Sequence, residues 1–274
     1  SDLGKKGIKT INISTPAAFL AAGAGVYVAK ACSYSTSSIT GSSDFLSLIG
    51  VNFKVPVKKN LKLLEKTKIA FFSMEETTPI FANVYGGRFF TPHALSFALA
   101  GLTLPIKTDT MLYGMAHPNI HLSAEVFQKF GCKNVMIISA TEDGVHYIDE
   151  SGISGTLSVI GIKDGVLGKM ASCLPAQELR LPNYSMNDLR QGKNEQENVR
   201  LAIDALRGKG KKSFIDAICA NAGLIIYLAG KAKNFTEGYD IAKKELFEGK
   251  GFSKLVEVVR ESGGDERRLK KFLK

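Results

Sequence analysis

Thr10-Ile11-Asn12-Ile13-Ser14-Thr15-Pro16 and, after a run of small apolar residues, Val26-Tyr27-Val28-Ala29-Lys30 decide the reading of this chain. Ser14 and Thr15 stand directly before Pro16. A hydroxyl there can cap a helix, and a proline at the first helical position loses nothing by lacking an N–H. Residues 16–25 read as an Ala/Gly-rich helix built for close packing, which Gly25 ends, and Val26–Ala29 as a short buried strand. From Cys32 to Ser43, eight of twelve residues are Ser or Thr, and Asp44–Ile49 follows as a brief helix. A helix start offers free N–H groups and partial positive charge, which suits anions. Two such starts flank a strand that ends in Lys30. The pattern fits a phosphate cradle; it also fits ordinary helix caps beside a solvated loop.

Outward from this unit, Leu61–Lys66 reads as a helix and Ile69–Ser73 as an apolar strand. Residues 79–104 read as helix in two pieces, broken around Gly86-Gly87 and Pro92. Met111–Met115, Leu122–Phe130 with Gly131 behind it, and Asn134–Ser139 form strand, helix and strand, which predicts a parallel crossover. Residues 153–171 read as two antiparallel strands joined at Lys163-Asp164-Gly165, a hairpin signal. Helices are expected over 196–206, 213–229, 236–247, 252–261 and 265–272. The fold expected is α/β: a mixed, largely parallel sheet flanked by helices, with a helical C-terminal region, residues 1–274 forming a single domain.

The 274 residues are 45% hydrophobic and 23% charged, which excludes disorder, collagen and coiled coil. The net charge of +10 suits phosphate-bearing partners, small metabolites and nucleic acid alike. Cys32, Cys132, Cys173 and Cys219 form no close pair, which favours a reducing, cytoplasmic setting. No stretch approaches the roughly 18–20 apolar residues of a membrane span, so no membrane partner is expected. Of the four histidines only His117 and His121 share a helical spacing, and Pro118 interrupts it. No Ser/His/Asp or Cys/His triad is evident, and no residue is singled out as a covalent catalyst.

In order and spacing, the chain resembles anthranilate phosphoribosyltransferase and, more distantly, the pyrimidine nucleoside phosphorylases. The family carries T-x-N-x-S-T, an Ala-rich helix, and K-H-G-N-R-x-x-S-S-x-S-G-S-A-D, then a helical N-A-A and an E-G-x-x-x-A helix. Here stand Thr10–Thr15, then Lys30 through Ser37-Ser38-Ile39-Thr40-Gly41-Ser42-Ser43-Asp44, then Asn221-Ala222-Gly223 and Glu237-Gly238-Tyr239-Asp240-Ile241-Ala242. The resemblance implies that Thr10, Asn12, Ser14 and Thr15 meet the phosphates and ribose of phosphoribosyl diphosphate. It implies that Lys30, Ser37, Ser38 and Ser42 line the pyrophosphate pocket, and that Arg88 holds the carboxylate of a small aromatic acceptor. It further implies Mg²⁺, a homodimer, and a helical N-terminal segment that is absent or truncated in the sequence given.

The departures carry information too. The family's G-T-G-G-D aligns with Asp2-Leu3-Gly4-Lys5-Lys6, where one glycine survives and the aspartate has become lysine. H-G-N-R has become Ala31-Cys32-Ser33-Tyr34. The family's Asp-Glu metal pair directly follows an acidic turn; here Glu142-Asp143-Gly144-Val145 is followed by His146-Tyr147-Ile148, and Asp149-Glu150 comes three residues late. An insertion of three would restore the pair, making Asp149 and Glu150, with Ser14, the magnesium ligands. Two functions lead: phosphoribosyl transfer to an aromatic amine such as anthranilate, as in tryptophan biosynthesis, or a non-catalytic, nucleic-acid-binding paralogue using the Lys58-Lys59, Arg207/Lys209/Lys211/Lys212 and Arg267/Arg268/Lys270/Lys271/Lys274 clusters; a nucleoside phosphorylase using inorganic phosphate comes third.

Overall fold

The first helix, α1 (Ser14–Gly23), is buried on nearly every side, as a helix with small apolar residues all round must be. The computed structural model describes residues 9–34, 39–80, 82 and 99–273. Two parallel strands, β1 (Val28–Cys32) and β2 (Ile69–Ser73), pair with Lys30 opposite Phe71. The crossover between them holds α2 (Ser42–Ile49) and α3 (Val57–Thr67). β1 starts later than the apolar run, because Val26 N–H is spent on the carbonyl of Ala21 at the end of α1, and Val28 N–H is the first to reach across, to Lys68 O.

A second sheet has the order β3 (Met111–Gly114), β4 (Val135–Thr141), β6 (Thr156–Lys163), β7 (Val166–Leu167), with β5 (Tyr147–Ile148) on β4 and β8 (Ala171–Cys173) on β6. The expected crossover is present: β3 and β4 run parallel around α4 (Ile120–Lys129), which Asn119 caps by accepting from Leu122 N–H. The expected hairpin is present as well, with Asp164 at φ 51° and Gly165 at φ 83°, the conformation a two-residue turn between twisted strands requires. The sheets are mixed and flanked by helices. Among the described residues parallel pairing is confined to β1–β2 and β3–β4, and every ladder beyond β4 is antiparallel because turns, not helical crossovers, join those strands.

The C-terminal region is helical, as read: α5 (Glu195–Leu206), α6 (Lys212–Leu228), α7 (Phe235–Phe247) and α8 (Lys250–Glu261), with a short turn of helix at Glu266–Lys270. The α1 helix packs against α6 and α8. The main core joins Phe19, Phe45, Phe71 and Phe72 to Ile218 and Val258, and two smaller clusters lie on the second sheet. Of the expected helix over 79–104, residues 81 and 83–98 lie outside the described residues, while Leu99–Leu102 is helical.

The α6 and α7 helices approach to backbone contact where Gly223 faces Gly238: a Cβ on Gly223 would fall 2.7 Å from Tyr239 N. Rigid backbone on both sides cannot yield. Gly223→Val is therefore expected to destabilise the protein by about 2 kcal/mol or more, measured by denaturant unfolding. An unchanged midpoint would show that the two helices can separate freely.

Candidate functional site

Asn12 takes the capping role that Ser14 and Thr15 offered in sequence: its Oδ1 accepts from Thr15 N–H at 3.2 Å. That leaves the Ser14 side chain turned outward from the first turn of α1. Lys30, near the end of β1, reaches back to it, Nζ donating to Ser14 Oγ at 3.3 Å. Both residues line a cleft of about 910 Å³ whose walls include α1, β1, the end of β3, α6 and the turn carrying Asp149 and Glu150. Burial pulls the Lys30 ammonium below the usual lysine range, partly countered by attraction to Cys32, Glu150 and Asp149. Four of the expected residues, Ser14, Lys30, Asp149 and Glu150, therefore share one cleft. Cys32 lines it too, but burial pushes its thiol up to about 12, so it is no nucleophile at neutral pH.

The carboxylates reach the cleft through the late acidic pair. Residues His146–Ile148 fold back as a tight hairpin, Tyr147 and Ile148 pairing with Thr141 and Ala140, and the chain then delivers Asp149-Glu150. The earlier acids are engaged within the turn and beside it. Asp143 accepts from the backbone N–H of Val145 and His146 and pairs with His146 Nδ1 at 2.6 Å, which holds its carboxyl well below the usual range; Glu142 accepts from Met186 N–H at 2.8 Å. Glu150 is buried while Asp149 is exposed. Among the described residues no group of three or more His, Cys, Asp or Glu is arranged to hold a metal ion by itself.

The remaining expectations divide. Thr15 is wholly buried and Thr10 pairs with Arg190 in an isolated bridge; neither lines the cleft. Ser42 closes the hydroxyl-rich loop on itself, its Oγ accepting from Ser33 N–H at 3.2 Å and donating to Ser33 O. Ser37, Ser38 and Arg88 lie outside the described residues, as do Lys5 and Lys6. His117 and His121 serve locally: His117 Nδ1 accepts from Asn119 N–H, and His121 faces Glu125. Asn221 has no role assigned by its sequence context alone. It lines the cleft and accepts from Ser151 N–H; its place in Asn-Ala-Gly at mid-helix was the only signal.

The depressed Lys30 has a signed consequence. A lysine whose folded pKa lies below its unfolded one destabilises the fold while charged, and the penalty vanishes as pH rises to the ordinary lysine range. Lys30→Met is expected to melt higher than the wild type at pH 7, with the gap closing toward pH 10–11, while pyrophosphate binding weakens roughly tenfold or more. A variant less stable than the wild type at pH 7 would contradict this placement of the charge.

Comparison with known proteins gives the chain a family. The family model described as glycosyl transferase family, a/b domain, matches residues 3–252. An anthranilate phosphoribosyltransferase of Streptococcus pneumoniae is 30% identical over 248 residues, which cover 90% of this chain and 72% of the relative. The crystal structure of the Thermus thermophilus anthranilate phosphoribosyltransferase matches with a TM-score of 0.78 at 26% identity, over 95% of this chain and 76% of that one. The Saccharomyces cerevisiae enzyme, solved in complex with PRPP and Mg, matches in fold with a TM-score of 0.76 at 20% identity, over 95% of this chain and 72% of that one. A phosphate-suited cleft on this fold, with sequence likeness over most of the chain, places the protein in the anthranilate phosphoribosyltransferase family of glycosyltransferase-type enzymes.

Proposed function

We propose that this protein transfers the phosphoribosyl group of phosphoribosyl diphosphate to the amino group of a small aromatic carboxylate such as anthranilate, the reaction that serves tryptophan biosynthesis. The observation that carries the proposal is the contact of Lys30 with Ser14 at the start of α1, beside the Asp149-Glu150 turn. Displacement of diphosphate from C1 of ribose builds positive charge on the sugar and negative charge on the leaving group. Lys30 and the Ser14 hydroxyl, at the positive end of α1, receive that negative charge without needing to reorganise. No covalent intermediate on the protein is required; the work is to hold the donor and orient the acceptor amine.

Magnesium is part of this proposal, and the donor set fits it. Mg²⁺ takes hard oxygens and is commonly bound by one or two carboxylates plus substrate phosphates. Asp149, Glu150 and Ser14 supply such oxygens around one cleft, and the yeast relative was solved with PRPP and Mg. Bound there, the cation would neutralise charge on the leaving diphosphate. A homodimer and a cytoplasmic location complete the reading; the family resemblance supports the first and four free cysteines the second. Among the described residues no helix is long and apolar enough to cross a membrane.

The nucleic-acid alternative draws on the basic clusters. Lys211 pairs with Asp188 at 2.7 Å and Arg207 with Asp204 at 3.6 Å, while Lys209 and Lys212 are exposed beside them. Calorimetry decides between the readings. Phosphoribosyl diphosphate with Mg²⁺ is expected to bind, with Ser14→Ala weakening it roughly tenfold. No binding at millimolar donor, together with salt-dependent binding of mixed oligonucleotides that falls on neutralising Lys209 and Lys212, would overturn the enzyme reading.

A further inference from the structure

Asn221 stands on α6 with only 5% of its surface exposed, and both ends of its amide are engaged. Oδ1 accepts from Ser151 N–H at 3.0 Å, and Nδ2 donates to Ala217 O, one turn back on its own helix, at 2.9 Å. The amide can sit only one way round, because reversing it would set donor against donor and acceptor against acceptor. Ser151 directly follows Asp149 and Glu150. On the opposite side the turn abuts the end of β3, where Gly114 lies so close to the Asp149 carbonyl that no Cβ would fit. The carboxylate turn is thus held between a strand end and one side chain of α6.

The helix is a firm base for that contact. Five residues before Asn221, the wholly buried Asp216 accepts from Tyr184 Oη at 2.8 Å, Tyr239 Oη at 2.7 Å and Lys243 Nζ at 3.3 Å, tying α6 to α7 and to the segment before Met186. A side chain fixed to so rigid an element transmits position, not merely affinity.

We propose that Asn221 is a positioning residue: by holding Ser151 N–H it sets where the Asp149 and Glu150 carboxylates stand relative to Ser14 and Lys30, and so sets the divalent-cation affinity of the diphosphate-bound cleft. This rests on the reading of Asp149 and Glu150 as cation ligands. Residues that orient metal ligands without touching the metal commonly control affinity by roughly ten- to a hundredfold.

The test is a Mn²⁺ titration of the full chain followed by electron paramagnetic resonance, with inorganic pyrophosphate present. Asn221→Ala is expected to weaken Mn²⁺ binding by roughly tenfold or more, while metal-free pyrophosphate binding, carried by Lys30 and Ser14, stays unchanged. A purely structural defect of the cleft would lower pyrophosphate and Mn²⁺ affinity together, and that joint loss would also overturn the positioning role. If Asn221→Ala does not fold, Asn221→Ser serves, since its hydroxyl reaches Ala217 O but falls short of Ser151. Wild-type protein that binds no Mn²⁺ with pyrophosphate would overturn the cation reading itself. Wild-type binding matched by equally tight binding in Asn221→Ala and Asn221→Ser would overturn the positioning role alone.

Discussion

Lys30 puts an ammonium group, removed from much of its water, beside the positive end of a helix. Its Nζ lies 3.3 Å from Ser14 Oγ, in the first turn of α1, at the positive end of the helix dipole. Two positive features at one point are unfavourable in an empty cleft, and burial drags the lysine toward its neutral form. An anion relieves both. The β1–β2 register that fixes Lys30 opposite Phe71, the Asn12 cap that starts α1, and the all-round burial of α1 against α6 and α8 together hold this arrangement in place.

The carboxylate turn answers the same constraint from the other side. Asp149 and Glu150 are close enough to attract Lys30, and they follow a hairpin whose earlier acids, Glu142 and Asp143, are already engaged. The altered loops at Ala31–Tyr34 follow a similar logic. Where relatives carry glycine and asparagine, Ser33 pairs its backbone N–H and carbonyl with Ser42, and Tyr34 N–H donates to Glu75.

Much of this was legible in the chain. Ser14-Thr15-Pro16 announced the helix, Lys163-Asp164-Gly165 the hairpin, and Gly131, at φ 77°, the end of α4. Lys30 and Asp149-Glu150 were found by position in a family pattern, and the cleft brings them together. What local reading misses is decided by tertiary contact. Nothing near Thr15 in sequence says that it turns into the core while Ser14 turns out. Asn221 is separated from Ser151 by seventy residues, so no local signal reveals that the two meet. Helix propensity treats an asparagine at mid-helix as a small defect; its use becomes visible only when another backbone N–H arrives to be satisfied.

The central claim is that Ser14, Lys30 and the Asp149-Glu150 turn form one binding centre for a diphosphate and its cation. A crystal structure grown with phosphoribosyl diphosphate and Mn²⁺ tests it most directly, because manganese is located by its anomalous scattering. A manganese peak between the donor's diphosphate and the Asp149-Glu150 turn, with Lys30 Nζ on the diphosphate, is the expected result. Manganese elsewhere, or a donor bound away from Ser14 and Lys30, would contradict it.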